Sequence, residues 1–210
     1  MTVLSIEPTG CTTADLGAAA AWLHRDGIVA FPTDTFYGLA VNPASSVAVT
    51  ALFELKGRAA SAAIPLVAAS VLQVEQIFGP LTSIAALLAS KFWPGPLSLV
   101  LDTPAAIARE VDSGRGSVAI RVPAHRVARE LCAAFGGPVT ATSANRSGAP
   151  AVVSASALGP LTDDARVLVI DGGDTAGGLP STIVDPRGAS LVLVRDGSIA
   201  WNRVLESLRG

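Results

Sequence analysis

The stretch Gly27-Ile28-Val29-Ala30-Phe31-Pro32-Thr33-Asp34-Thr35-Phe36-Tyr37-Gly38-Leu39-Ala40 runs from apolar residues straight into two hydroxyls and a carboxylate. A short apolar run with β-branched residues, closed by proline, reads as a buried strand over residues 28–31. A turn needs only one or two polar side chains to bond its backbone amides. Thr33, Asp34 and Thr35 offer more than that. Such polarity at the exit of a buried strand has two readings: a self-capping turn, or one wall of a ligand site.

Outward from this stretch the chain alternates short β-rich runs with helical patterns. Further strands are expected over 65–68, 97–101, 118–122, 139–142, 167–170, 182–184 and 191–194. Helices are expected over 13–25, 47–55, 71–77, 83–92, 126–135 and 202–208. In the first, Leu16, Ala19, Ala20 and Leu23 keep the 3.6-residue period, and Gly27 supplies the stop. The alternation implies an α/β domain around a mainly buried sheet. Residues 1–210 are expected to form one domain, without internal repeats. The glycine-rich segment 172–181 reads as a mobile loop able to close over a site.

Half of the 210 residues are hydrophobic and 15% are charged, ample material for a core. The 15 basic and 17 acidic residues give a net charge of -2, which argues against a nucleic-acid coat held mainly by charge. Cys11 and Cys132 do not suggest a disulfide framework, and His24 and His125 form no metal-ligand spacing. No signal peptide and no membrane-length apolar run is evident, so a cytoplasmic location is expected.

Polar residues recur at strand ends, each with a plain structural reading beside the functional one. Ser143 and Asn145 in "ATSANRSG" suit a turn, and Arg195-Asp196-Gly197 suits a hairpin. Arg121 follows a buried run, so it is either ion-paired or aimed at a ligand. Lys56 and Arg58 suit a basic helix C-terminus. Neither GxxxxGK[ST] nor a strand-following GxGxxG is present. Any bound nucleotide is therefore held by scattered side chains and backbone amides. Nothing resembles a Ser-His-Asp triad.

Together, "PTDTFYGLA", "LKGR", "FWPGPLSLVL", "VAIRVPAH", "TSANRSGAP" and "STIVD" with "LVLVRDG" stand in the order and spacing of the YrdC-like family. The resemblance spans residues 27–197, and the chain resembles the short form without an extra C-terminal domain. That family comprises L-threonylcarbamoyladenylate synthases. The resemblance implies a twisted, open mixed sheet flanked by helices, with a large, positively lined concave face. It implies that L-threonine, bicarbonate and ATP become threonylcarbamoyl-AMP and pyrophosphate. Downstream proteins then move the threonylcarbamoyl group to the tRNA adenosine beside the anticodon.

Residue by residue, the resemblance places Thr35, Arg121 and Ser181 against L-threonine, with Thr33 and Asp34 shaping the turn. It places Lys56, Arg58, Ser117, Ser143, Asn145 and Arg195 around ATP, with Lys56 and Arg58 as catalytic cations. Mg2+ is expected to arrive with the nucleotide, and no resident metal site is implied. The chain departs from the family at Ala59, where proline is common, and at Val67, where some members carry histidine. Two alternatives remain beside this reading. One is a carbamoyl-adenylating module of the hydrogenase-maturation type; the other is a non-catalytic RNA-binding module, and even the synthase reading leaves room for weak RNA contact.

Overall fold

In the computed structural model, which describes residues 2–57 and 63–209, the apolar run becomes β2 (Ile28–Pro32), buried at every residue. It doubles back through residues 33–36 into β3 (Tyr37–Ala40), pairing Val29 with Ala40 and Pro32 with Tyr37. The sequence gives β3 little signal, because Gly38 interrupts a run of only four residues. Pairing supplies what propensity lacks. A Cβ at Gly38 would come within 3.2 Å of the Phe31 ring across the ladder.

The first sheet has the order β1-β9-β2-β3-β8. β1 (Thr2–Ser5) and β2 flank β9 (Val167–Asp171) in parallel, and β8 (Thr142–Ser143) closes the edge beside β3. β1 was not legible in the sequence: three of its four residues are exposed, and only parallel pairing with β9 defines it.

The second sheet has the order β11-β10-β5-β6-β4-β7. Its strands are β4 (Leu66–Val67), β5 (Leu97–Asp102), β6 (Ser117–Arg121), β7 (Val139–Thr140), β10 (Thr182–Asp185) and β11 (Val192–Arg195). The expected single strand over 139–142 is in fact divided between the sheets. Val139 pairs with Val67 in the second, whereas Thr142 pairs with Leu39 in the first. At the crossing the Thr140 hydroxyl accepts from the Val41 amide at 2.8 Å, and the Ala141 amide donates to the Pro65 carbonyl at 2.8 Å. These bonds satisfy backbone groups that would otherwise be buried without partners.

Helices cover the sheets. The expected helix over 13–25 is a short 3₁₀ turn (Ala14–Leu16) followed by α1 (Gly17–His24). α2 (Ser46–Lys56) starts where the Ser45 hydroxyl accepts from the Ala48 amide and stops at Gly57, whose φ is +60°. It therefore delivers Lys56 into the interior at its last turn. α3 (Val71–Phe78), α4 (Ser83–Phe92), the short α5 (Arg109–Asp112), α6 (Arg126–Phe135) and α7 (Trp201–Glu206) complete the set. α1 packs on α6 around Leu23, Val127 and Leu131, a cluster that also takes Phe31 from β2. Among the described residues, no helix is long and apolar enough to cross a membrane.

Candidate functional site

One row of the second sheet explains where the site lies. Arg195 of β11 pairs with Ile183, Ile183 with Ser98, and Arg121 with Val67. Leu99 pairs with Ile120, so Ser98 and Arg121 stand one step beyond that pair, on the face opposite these two core side chains. A line of side chains thus crosses the sheet and carries Arg195, Ser98 and Arg121 on one face.

Arg195 joins the row only because of a bulge. Val184 pairs with Leu193 but Ile183 pairs with Arg195, leaving Val194 as the extra residue. Leu193 accordingly packs toward the core, whereas Arg195 turns to the other face. The turn after β11 then passes tightly beneath the chain at residues 180–182. A Cβ at Gly197 would lie 2.3 Å from the Pro180 carbonyl oxygen, so only glycine fits there.

Above this row, between the two sheets, lies a cavity of about 440 Å3. Thr35, Arg121, Ser143, Ser181 and Arg195, all expected at the site, line it, as do Thr33 and Val67. Ser117 does not line it. It lies on the same face of β6 as Arg121, four residues away and so roughly 13 Å along the strand. Arg58 and Ala59 lie outside the described residues.

The Thr33–Phe36 turn is self-capped, as a structural reading of its hydroxyls requires. The Thr33 hydroxyl donates to the Phe36 carbonyl at 2.7 Å and accepts from the Thr35 amide at 3.2 Å. Asp34 has a different role from the turn-shaping one expected of it. Its Oδ1 takes a hydrogen bond and ion pair from Arg121 Nη1, and its Oδ2 accepts from the Ala124 amide at 3.2 Å. Both side chains of the pair are about nine-tenths buried. Arg121 therefore reaches the cavity with its charge already matched, though a guanidinium has five N–H donors to share.

Arg195 is the opposite case. It makes no ion pair among the described residues. Its Nη2 donates to the Ser181 carbonyl at 2.7 Å and to the Ser181 hydroxyl at 3.0 Å, while Nε donates to the same carbonyl at 3.1 Å. Although the residue as a whole is exposed, protein packed around the guanidinium, and then the nearby Arg121 charge, lower its pKa from the ordinary value. It stays charged at any working pH. A cation that is partly desolvated and faces another guanidinium favours an anion between them.

Lys56 and Asn145 do not line the cavity; they build the turn beside it. The buried Lys56 ammonium donates to the Ser143 carbonyl at 2.5 Å, the Asn145 carbonyl at 2.8 Å and Asn145 Oδ1 at 3.1 Å. Asn145 Oδ1 also accepts from the Ser143 hydroxyl at 2.7 Å, and its amide nitrogen donates to the Ala149 carbonyl.

The glycine-rich loop is tied across the rim. The Gly177 amide donates to the Thr35 carbonyl at 2.7 Å, and Thr175 donates through amide and hydroxyl to the Val153 carbonyl. Gly177 has φ +66°, a conformation that disfavours any side chain. The buried Tyr37 hydroxyl donates to the Gly173 carbonyl at 2.8 Å and accepts from the Gly172 amide at 3.4 Å. Burial pushes the Tyr37 pKa up to about 12, so it remains a neutral donor.

Two participants escaped the sequence reading. Tyr37 has no marker distinguishing a loop anchor from a core aromatic. Ser98 left one trace: it is the sole polar residue in the buried run Leu97–Val100.

A cleft between two mixed sheets, lined by hydroxyls and two guanidiniums, has the size and charge to accept a small anionic molecule. The family model named for Sua5, YciO and YrdC, described as "Telomere recombination", matches residues 21–197, and the chain belongs to that family. The threonylcarbamoyl-AMP synthase of Pyrococcus abyssi is 38% identical over 186 residues, 89% of this chain and 55% of that one. The protein of the same name from Bacillus subtilis is 36% identical over 90% of this chain and 55% of its own length. The chain thus spans about half the length of these two relatives. A crystal structure of P. abyssi Sua5 complexed with L-threonine superposes with a TM-score of 0.89 at 33% identity, covering 99% of this chain and 61% of that one.

Proposed function

We propose that this chain makes threonylcarbamoyl-AMP. The observation that carries the reading is convergence: Thr35, Arg121 and Ser181, from three distant segments, line one cavity in a chain of this family. The threonine amine captures CO2 from bicarbonate as a carbamate. A carbamate oxygen then attacks the α-phosphorus of ATP and pyrophosphate leaves, so one water is released per bicarbonate consumed.

Every reactant is an anion or carries a carboxylate, so the protein's work is positioning and charge stabilisation. Arg121, held by Asp34, offers its remaining N–H groups to the threonine carboxylate, with Thr35 and Ser181 beside it. Arg195, whose charge is not matched by a carboxylate among the described residues, serves the nucleotide phosphates together with Ser143. Ser117, further along β6, suits the far end of the nucleotide. Lys56 and Asn145 act by holding the Ser143 turn, and Arg58 completes the cationic set. Mg2+ is best read as part of the incoming nucleotide. Asp34, a carboxylate beside the cavity, is committed to Arg121. The product would pass to proteins that transfer its acyl group to tRNA.

Pyrophosphate release from ATP and bicarbonate is the direct test, compared with L-threonine, L-serine and no amino acid. L-Threonine should be fastest and L-serine about 10- to 200-fold slower, since a missing methyl is worth only that much discrimination. Release that does not depend on an amino acid would overturn the proposal.

A further inference from the structure

Ser98 lies beneath the site, 1% exposed, between Leu97 and Leu99 of the core. Its hydroxyl oxygen is 3.0 Å from that of Ser181, and among the described residues this is its only side-chain hydrogen bond. A buried hydroxyl needs an acceptor for its hydrogen, and among the described residues the Ser181 oxygen alone is in reach. Ser98 is therefore the donor of the pair. The Ser181 oxygen also accepts from Arg195 Nη2 at 3.0 Å. A serine oxygen has two lone pairs and one hydrogen. With both lone pairs taken, one from below and one from the side, only the hydrogen remains for the cavity that Ser181 lines.

We infer that Ser98 is a positioning residue that, with Arg195, makes the Ser181 hydroxyl an obligate hydrogen-bond donor toward the cavity. Resting on the function proposed above, this assigns Ser181 to an oxygen of the substrate amino acid, carboxylate or hydroxyl, and not to the ammonium group that the free amino acid brings. An ammonium brings only donors, and Ser181 has no lone pair left to receive them. The register makes the arrangement possible, because Ile183↔Ser98 pairing puts the residue preceding Thr182 over β5, and the Val194 bulge brings Arg195 to the same place.

The inference is tested by a double-mutant cycle on L-threonine binding, read by calorimetry, with the ATP KM of pyrophosphate release as control. Ser98→Ala frees the Ser181 hydroxyl to rotate and should weaken L-threonine about 3- to 10-fold, the range of a single hydrogen bond. The ATP KM should move less than about 2-fold, and in a Ser181→Ala background the Ser98→Ala change should add nothing. An equal loss in both backgrounds would show that Ser98 is merely structural and sink the inference, as would unchanged threonine affinity. Ser98→Thr, which keeps the hydroxyl, should restore affinity if its melting temperature shows that the added methyl is accommodated. Neutron diffraction on the wild-type protein tests the donor direction independently of any ligand. Deuterium on Ser98 aimed at Ser181 supports the inference; deuterium on Ser181 aimed at Ser98 overturns it. If wild-type protein neither binds L-threonine nor releases pyrophosphate, the proposed function fails, and the neutron result still decides the direction of this bond.

Discussion

The Ser143–Asn145 turn and the Ser181–Arg195 corner look alike as sequence: each is a short polar cluster at a strand end. In space they differ. At the turn, Lys56 places one ammonium on three oxygens and Asn145 bonds its own neighbours, so most of the polar capacity is used internally. At the corner, Arg195 spends its bonds on one residue, meets no carboxylate among the described residues, and faces a second guanidinium across a cavity. The lesson is that a polar cluster becomes a site when its donors and charge exceed what its neighbours consume. The turn is scaffold with one face on the cavity; the corner keeps donors and charge in hand, which is why the proposed function sets it against the ligand.

Four variants break or sharpen this contrast. Lys56→Met should have the largest effect, on stability. It strips three oxygens of their buried donor and should cost about 2–4 kcal/mol in a urea titration. A loss under about 1 kcal/mol would mean that the turn is not built around Lys56. Arg195→Met should do the reverse: nearly wild-type unfolding, but ATP use weakened about 10- to 100-fold, the size of a charge-assisted contact of about 1.5–3 kcal/mol. Intact ATP kinetics in the folded variant would remove Arg195 from the nucleotide site.

Arg121→Lys keeps the charge but loses the planar fork shared between Asp34 and the cavity. Its L-threonine KM should rise about 10-fold, about 1.4 kcal/mol, with the ATP KM steady. If ATP suffers instead, the wrong substrate has been set against this arginine. Tyr37→Phe is the mildest change, removing the two hydrogen bonds that tie Gly172 and Gly173 to β3. A loss of about 0.5–1.5 kcal/mol should appear as about 2- to 10-fold faster proteolysis within residues 172–178. ATP with L-threonine should slow that cleavage in wild type; indifference to both ligands would rule out loop closure over the site.

Much of this was legible in the sequence, and the reason differs from element to element. The first helix announces itself by the 3.6-residue spacing of Leu16, Ala19, Ala20 and Leu23 with its Gly27 stop, and β2 by an unbroken apolar run, both of which are local physics. Thr35, Arg121, Ser143, Ser181 and Arg195 were each expected at the site, and they share one cavity. What failed was anything set by a distant partner. β1 and β3 exist through pairing, the 139–142 run splits between sheets, and Asp34 serves Arg121 instead of its own turn.

Thus the sequence by itself determined the alternating α/β order, the strand ends at which polar groups collect, and the chemical types available there. The tertiary structure decided which of those groups remain free to meet a ligand. Hydrogen-bond capacity is used pair by pair across the sheets, and those pairs depend on register. The extra residue at Val194 turns Arg195 from the core side to the cavity, and the Ile183↔Ser98 pairing sets a buried hydroxyl beneath Ser181. Neither can be read along one strand, because a β-strand's two faces are assigned only by what it pairs with.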